Sequence, residues 1–436
     1  MEMEDKEARL SPELKEQLDT LMRGTFFADE VESGQEQAAG RQGLRSQMRE
    51  ELADKLQQGR PLRVYLGVDP TASSLHIGHL VPVLKLRQFQ DYGHHVVFLI
   101  GDYTGLIGDP SGRAQARKQM DADTLKKLSE GYEEQVFKIL DPEKTEVRRN
   151  SEWLTTLGFA DVIRLAAQFP LKQIVARRDF QQRMERGESL RFHEALYALM
   201  QGYDAYALEC DVQVGGYDQY FNLLAGRVIQ EHFGQKPHVM ITVPLIPGTD
   251  GRKMSKSYGN AINVTDSPRD MYGKVMRIED SLMHDYLQHA CLLSTDEIEK
   301  LEAKLRAPDG NPMEVKKRLA FEVTKLYHGE GGAEQGQKTF ERLSQRREKP
   351  PEQEIPEYDA PAETAEGTTS WPVVMAELGL VQSRGAAKRL MKGGGFKVDG
   401  EAVRDREAIY DPTTPHLVQY GKRKFARIKP PGGSTE

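Results

Sequence analysis

The chain has 436 residues, 38% of them apolar and 29% charged, and a net charge of −7; this is the balance of a globular protein, not of a disordered or fibrous one. No apolar run approaches ~20 residues, so no membrane span is expected, and the acidic start Met1-Glu2-Met3-Glu4-Asp5-Lys6 lacks the basic-then-apolar pattern of a secretory signal. The only cysteines, Cys210 and Cys291, exclude a disulfide framework and a four-cysteine zinc site and fit a reducing, cytoplasmic setting.

Residues 1–60 read as a polar, helical N-terminal extension. Ser11-Pro12-Glu13 is a helix start: a capping hydroxyl, proline at the first helical position, and an acid at the positive end of the dipole. At Pro61 the texture changes. Leu62-Arg63-Val64-Tyr65-Leu66-Gly67-Val68 is a β-rich run. Leu80 to Tyr92 has helical spacing, with Leu80, Val83, Leu84, Leu86 and Phe89 on one side, and Gly93 stops it. Val96-Val97-Phe98-Leu99-Ile100 follows as a continuous apolar strand. Strand, helix, strand is a βαβ unit and predicts a parallel sheet of Rossmann type. Asp121 to about Glu209 is mostly helical by pattern, Val239-Met240-Ile241-Thr242-Val243 is a late strand, and Pro268 to about Arg347 is amphipathic helix. Glu348 to Gly367 holds four prolines and seven acids and reads as a linker. The expected class is α/β: a Rossmann-type domain over 61–262 with a helical insert, a helical domain over 263–347, the linker 348–367, and a small α+β module over 368–436.

Charge is uneven along the chain. Trp371 to Pro430 holds 12 Lys/Arg against 6 Asp/Glu, a net of +6, which leaves −13 for the remainder. A basic module on an acidic body suits contact with a polyanion; by charge alone, a solvated basic face fits equally.

Three constellations carry chemistry. The first is His76-Ile77-Gly78-His79, after the first strand and before the first helix of the sheet. Such a turn delivers side chains and backbone N–H groups to the crevice at the carboxyl end of a parallel sheet, where nucleotides bind. Gly78 lets a base approach the backbone, and the two histidines are placed to donate to phosphate oxygens; a helix-capping pair is the alternative. Neither a Gly-x4-Gly-Lys-Ser/Thr loop nor a Gly-x-Gly-x-x-Gly turn after the first strand competes. Gly101-Asp102-Tyr103-Thr104-Gly105-Leu106-Ile107-Gly108 has a different spacing. It reads as a loop pressing its backbone on a small ligand, with Asp109 available for an ammonium group.

The second constellation is Lys253-Met254-Ser255-Lys256-Ser257, preceded by Pro247-Gly248-Thr249-Asp250-Gly251-Arg252, a segment with little to hold it rigid. Arg252, Lys253 and Lys256 repel one another there until an anion visits. A mobile cationic loop closing on a phosphoryl group stabilises charge that grows only in the transition state; taken alone, a solvated basic loop is an equal reading. The third is Tyr65 on the first strand together with Tyr197, Gln201 and Asp204, which at i, i+4 and i+7 share one helix face. Leu196, Leu199, Met200 and Tyr203 around them imply burial.

With these residues the chain resembles the bacterial tyrosyl-tRNA synthetases, class I enzymes, in the subgroup with an extended N-terminus. The resemblance implies ATP-dependent activation of L-tyrosine to tyrosyl-adenylate, then transfer to the 3′ end of tRNA(Tyr). It implies ATP with Mg²⁺, a homodimer built through the insert, tRNA binding by the 263–347 helices, no membrane attachment and no metal held by protein ligands. In that family, residues matching Tyr65 and Asp204 hydrogen-bond the substrate phenol. Those matching Asp109, Tyr197 and Gln201 hold its ammonium group, and Gln213 joins the tyrosine set. The matches to Asp69, Gly78, Asp218 and Gln219 contact ATP or the tyrosine carboxylate, and Gly67, His76, His79, Gly216 and Lys256 complete the ATP set. His76, His79, Lys253, Lys256, Ser257, Arg113 and Arg117 form the catalytic set, with the two arginines close to the phosphates and the tRNA end. The chain departs from the family in Gly215-Gly216-Tyr217-Asp218-Gln219-Tyr220-Phe221-Asn222, where Gly-Gly-Ser-Asp-Gln-Trp-Gly-Asn is frequent, and in Arg113, where lysine is often found.

The basic module adds a helix from Trp371 closed by Gly379, a second from Ser383 to Lys392, and a hairpin around Asp399-Gly400. It resembles the alpha-L RNA-binding motif. Arg384, Lys388 and Lys392 repeat every four residues as a cationic ridge, and Lys422 and Arg423 join them as RNA contacts. Two rivals stand beside this reading: the sister tryptophanyl enzyme on the same fold, and a synthetase-like RNA-binding protein without aminoacylation.

Overall fold

The computed structural model describes residues 10–27, 43–70, 73–111, 122–307, 310–342, 355–361, 364, 367–421 and 424–431. Two compact units divide the chain, Met1–Glu334 and Gln335–Glu436. Among the described residues no helix is long and apolar enough to cross a membrane.

The first unit is built on a five-stranded sheet in the order β3-β2-β1-β4-β5. Its strands are β1 (Arg63–Val68), β2 (His95–Ile100), β3 (Thr145–Arg149), β4 (Val212–Gly216) and β5 (Val239–Val243), every pairing parallel. Tyr65 pairs with Val97 on one side and Gln213 on the other. The strand order reverses between β1 and β4, the switch point where open α/β sheets bind ligands. β2, β4 and β5 are almost entirely buried, as expected of strands covered on both faces. β3 lies inside the stretch whose pattern reads as helical. It is an edge strand, half exposed and with Val147 its only aliphatic side chain, so it carries no strand periodicity.

Helices α1 (Pro12–Met22) and α2 (Leu44–Leu56) form the N-terminal extension. The Ser11 hydroxyl caps α1 by accepting from Leu14 N–H at 3.3 Å. Leu18, Leu21, Met48 and Leu52 are buried, so the extension packs as part of the body. Its Phe26 N–H donates to the Thr242 carbonyl of edge strand β5 at 2.8 Å, and Glu51 holds Arg227 bidentately at 2.7 and 2.9 Å. Helix α3 (Val81–Asp91) follows the single turn Ile77–Leu80 and ends before Gly93 at φ 80°. Helices α4 (Phe192–Ala207) and α5 (Tyr220–His232) lie against each other. Glycine permits the approach: a Cβ on Gly202 would stand 2.8 Å from Ile229 Cδ1, and one on Gly226 3.0 Å from Ala205 Cβ. Beyond the sheet come Pro268–Val275, Met283–His289, Thr295–Arg306 and Pro312–Phe340, the last broken at Gly329, φ 71°.

The second unit has a sheet in the order β6-β10-β9-β7-β8: β6 (Glu357–Asp359), β7 (Phe396–Val398), β8 (Glu401–Ala402), β9 (His416–Tyr420) and β10 (Lys424–Lys429). Helices α6 (Trp371–Glu377) and α7 (Arg384–Lys392) cover a core of Trp371, Val374, Met375, Met391, Phe396, Tyr410, Val418 and Ile428. Asp399 and Gly400, at φ 49° and 93°, make the tight β7–β8 turn. β6 lies within the stretch read as linker and pairs in parallel with β10. Proline and acid density tells against a central strand but not against a short edge one.

Candidate active site

The carboxyl ends of β1, β2 and β4 open on a cavity of about 350 Å³. Asp69, Asp109, Tyr197, Gln201, Asp204 and Gln213 line it together; α4 supplies three of them from one face, as their spacing predicts. Tyr65 lies behind the lining, fully buried, and among the described residues its hydroxyl has no hydrogen-bond partner. The Gln213 amide oxygen is likewise buried and unpartnered. Burial pushes the Tyr65 phenol well above its usual pKa, with Cys210 and Asp204 adding to the effect.

Asp204 is nearly inaccessible. Trp153 Nε1 donates to its Oδ1 at 2.7 Å and Asn150 Nδ2 to its Oδ2 at 3.3 Å. Burial raises the Asp204 pKa above its usual value, and those two donors, which favour the ionised carboxylate, oppose the shift. Asn150 continues the network: Nδ2 donates to Thr104 Oγ1 at 2.9 Å, and Thr104 donates to Asp69 Oδ1 at 2.7 Å. The Tyr197 hydroxyl donates to the other Asp69 oxygen at 2.9 Å. A side chain on Gly101 would collide with Asp69 Oδ1 and Thr104 Oγ1, so the loop after β2 has glycine where that bond must pass. Trp153 and Asn150 are absent from the residues picked out by sequence, whereas Gly101 and Thr104 belong to the loop it expects against a small ligand, without the Thr104–Asp69 bond.

A second network holds Asp109. Its Oδ2 accepts from Gln219 Nε2 at 2.7 Å and its Oδ1 from Ser111 N–H at 2.9 Å. Asn222 donates to Gln219 Oε1 at 2.9 Å, and buried Arg177 donates to Ser111 Oγ at 2.9 Å. The carboxylate expected to await an ammonium group is thus already oriented by two donors, with lone pairs left over.

His76, Gly78, His79, Gly216, Asp218, Gln219, Lys253 and Met254 line the rest of the cavity, next to Gly67 and Asp69. The two separated motifs are joined by backbone. Ile77 N–H donates to the Ile262 carbonyl and Val264 N–H to the Leu75 carbonyl, each at 3.0 Å. The His76 and His79 rings stack with centroids 3.6 Å apart. Burial, then His79 and Lys256, lower the His76 pKa to about 3, so it is neutral at physiological pH. A Cβ on Gly78 would come 3.1 Å from His76 Nδ1, so glycine keeps that spot open.

The loop bearing the second motif is more fastened than its composition implies. Buried Asn260 accepts from Ser255 N–H at 2.9 Å and donates to Asp250 Oδ1 at 2.7 Å and to the Lys253 carbonyl at 3.2 Å. Arg252 is paired with Asp250 at 2.5 Å and lies over the Tyr258 ring. The expectation of three mutually repelling cations is corrected: Arg252 is neutralised locally. Lys253 reaches the cavity; Lys256 and Ser257 are exposed and outside its lining.

Arg113, Arg117, Lys422 and Arg423 lie outside the described residues. On α7, Arg384 pairs with Glu377 at 3.3 Å and Lys388 with Glu407 at 2.5 Å, while Lys392 is exposed. Exposed pairs of this kind are worth at most about 1 kcal/mol, which leaves the ridge open to exchange its partners for phosphates.

The family model of class I tRNA synthetases (W and Y) matches residues 57–345, and that of the S4 domain matches residues 372–412. A tyrosine–tRNA ligase of Thermotoga maritima is 43% identical over 388 residues, 89% of this chain and 94% of that one. One of Oleidesulfovibrio alaskensis is 42% identical, covering 95% and 99%. Among solved structures, a C-terminally truncated mitochondrial tyrosyl-tRNA synthetase of Coccidioides posadasii aligns with a TM-score of 0.56 and 26% identity, over 77% of this chain and 94% of that one. The tyrosyl-tRNA synthetase of Archaeoglobus fulgidus complexed with L-tyrosine has a TM-score of 0.56 at 20% identity, covering 74% and 99%, and shares the fold.

Proposed function

The chain belongs to the class I tRNA synthetases of the tryptophan and tyrosine group, and from that premise we infer that it is a tyrosine–tRNA ligase. The observation that carries the choice of amino acid is the buried, unpartnered hydroxyl of Tyr65 near the buried carboxylate of Asp204. An unmet buried polar group costs about 1–3 kcal/mol. A substrate phenol removes that cost, because it donates to Asp204 and accepts from Tyr65. An indole has one N–H and no acceptor, so tryptophan can donate to Asp204 or to Tyr65 but leaves the Tyr65 proton without an acceptor.

The other ligand groups follow from the lining. The substrate ammonium is held by Asp109, Tyr197 and Gln201. Tyr197 already donates its proton to Asp69, so its lone pairs are available to an N–H. Gln213 completes the tyrosine pocket. ATP lies along Gly67, Asp69, Gly78, Gly216, Asp218 and Gln219, with His76 and His79 as donors to its phosphates. The tyrosine carboxylate attacks the α-phosphorus and pyrophosphate leaves; the terminal ribose hydroxyl of tRNA then takes the tyrosyl group. The attacking carboxylate is already ionised, so the first step needs no general base, and positioning with electrostatics lowers the barrier. Lys253 and Lys256, together with Arg113 and Arg117, balance the growing pyrophosphate charge, and Ser257 adds a neutral hydrogen-bond donor. Mg²⁺ enters on the ATP phosphates as part of the substrate.

Tyrosine-dependent ATP–pyrophosphate exchange tests this reading. Exchange driven by tryptophan instead would favour the sister enzyme, and tRNA binding without any exchange would favour a pure RNA-binding role. Gly101→Ala is expected to reduce kcat/KM for tyrosine in the same assay by roughly 10-fold or more, since the bond it breaks is made to a charged group. Unchanged kinetics would remove the Thr104–Asp69 bond from the account.

The chain also works as a homodimer in this reading. Phe159, Ile163, Leu171 and Phe192 of the helical insert are 81%, 54%, 64% and 75% exposed, large apolar groups of the kind that mark interfaces. Sedimentation at micromolar concentration should show a dimer for the wild type and a monomer for Phe159→Asp combined with Ile163→Asp. A wild-type monomer with full aminoacylation would overturn this assignment.

A further inference from the structure

The N-terminal extension touches the wall of the ATP site through one aromatic pair, and we propose that Phe26 is a positioning residue for ATP. The inference rests on the reading of the cavity given above. Phe26 is held from both sides of its own backbone. Its N–H donates to the Thr242 carbonyl at 2.8 Å, and its carbonyl accepts from the Thr242 hydroxyl. One residue earlier, the carbonyl and hydroxyl of Thr25 both accept from Arg45 Nη2 at 3.1 Å, and one residue later Phe27 is fully buried. Thr242 lies opposite Gly215 in the β4–β5 register. Residue 26 is therefore tied to the edge of the sheet at Thr242 by one backbone and one side-chain hydrogen bond.

That ring meets Tyr217 edge to face, with centroids 4.9 Å apart and planes at 78°. Tyr217 opens the single turn Tyr217–Gln219, whose other two side chains, Asp218 and Gln219, line the cavity. Asp218 folds back so closely over Gly216 that a Cβ there would stand 2.6 Å from its Oδ1. The turn runs straight into α5 at Tyr220, and Gln219 is held by Asp109 and Asn222; the Phe26 contact fixes its other end, at Tyr217 beside Asp218. This is also where the chain departs from the serine frequent in the enzymes it resembles. A serine has no ring to offer Phe26; here the aromatic pair fastens the turn to the sheet edge, and the extension becomes part of the nucleotide site.

The test is pyrophosphate exchange by the full-length wild type, Phe26→Ala, Phe26→Tyr, Tyr217→Ser and the Phe26→Ala/Tyr217→Ser double variant. Phe26→Ala should raise KM for ATP about three- to tenfold, the worth of an aromatic pair, with KM for tyrosine and the melting temperature close to wild type. Phe26→Tyr should restore it. In the Tyr217→Ser background, Phe26→Ala should add nothing further, because the partner is already gone. An unchanged KM for ATP in Phe26→Ala, or fully additive effects in the double variant, would overturn the inference while leaving the ligase activity intact. A wild type without tyrosine-dependent exchange would overturn the functional reading itself and this inference with it.

Discussion

Replacing Asp204 by alanine is expected to collapse the preference for tyrosine over phenylalanine by roughly 10- to 100-fold, the equivalent of one hydrogen bond to a charged group. The carboxylate has about four acceptor sites when ionised. Trp153 and Asn150 occupy two, and both hold the group still rather than satisfy it fully. A phenol takes a third; phenylalanine offers nothing and leaves both Asp204 and Tyr65 unmet. In Asp204→Ala the tyrosine reaction loses that bond, whereas the phenylalanine reaction loses only a penalty. The comparison of kcat/KM for the two amino acids is made on the same enzyme preparation. Any loss of folded protein from freeing Trp153 and Asn150 therefore cancels in the ratio. Asp204→Asn, which keeps the shape and one acceptor oxygen, should fall between wild type and alanine. A ratio unchanged in Asp204→Ala would show that this carboxylate does not read the phenol.

The parts of this site legible in the sequence are those that depend on local periodicity. β1, α3 and β2 stand out because their apolar spacing is clean, and the i, i+4, i+7 face of α4 needs only helix geometry to bring Tyr197, Gln201 and Asp204 together. What escapes is long-range. Asn150 and Trp153 follow β3, an edge strand too polar to announce itself, so the donors that orient Asp204 were hidden with it. The fastening of the loop 247–260 rests on one buried asparagine, Asn260, and no composition rule distinguishes a pinned Gly-rich loop from a free one. Lys253 and Lys256 look equivalent in sequence, yet only Lys253 lines the cavity. The contact between Phe26 and Tyr217 joins residues nearly two hundred positions apart, and only the sheet edge at Thr242 brings them together.

Ending the chain at residue 347 should separate the two steps of the reaction. Both phosphate motifs and the whole tyrosine constellation lie before Glu334, in the first compact unit. Tyrosine-dependent pyrophosphate exchange should therefore stay within about twofold of wild type, since no group that touches ATP or tyrosine is removed. Transfer to tRNA should fall by roughly 10²-fold at 0.15 M salt. That figure counts the three ridge contacts alone, Arg384, Lys388 and Lys392, each weighted by the counterion exponent of about 0.7–0.9, and the loss of Lys422 and Arg423 with them deepens it. The acids now paired with Arg384 and Lys388 reduce the gain only slightly, because exposed pairs are weak. The same exponent makes a second demand that a general loss of fit does not. The slope of log affinity for tRNA against log salt should become shallower by at least about 2 to 3 in the truncated chain, the share of the three ridge contacts. A truncated chain that charges tRNA as well as the full-length protein, with an unchanged salt slope, would show that the basic module does not hold tRNA. Loss of pyrophosphate exchange would instead assign the module a part in maintaining the catalytic unit.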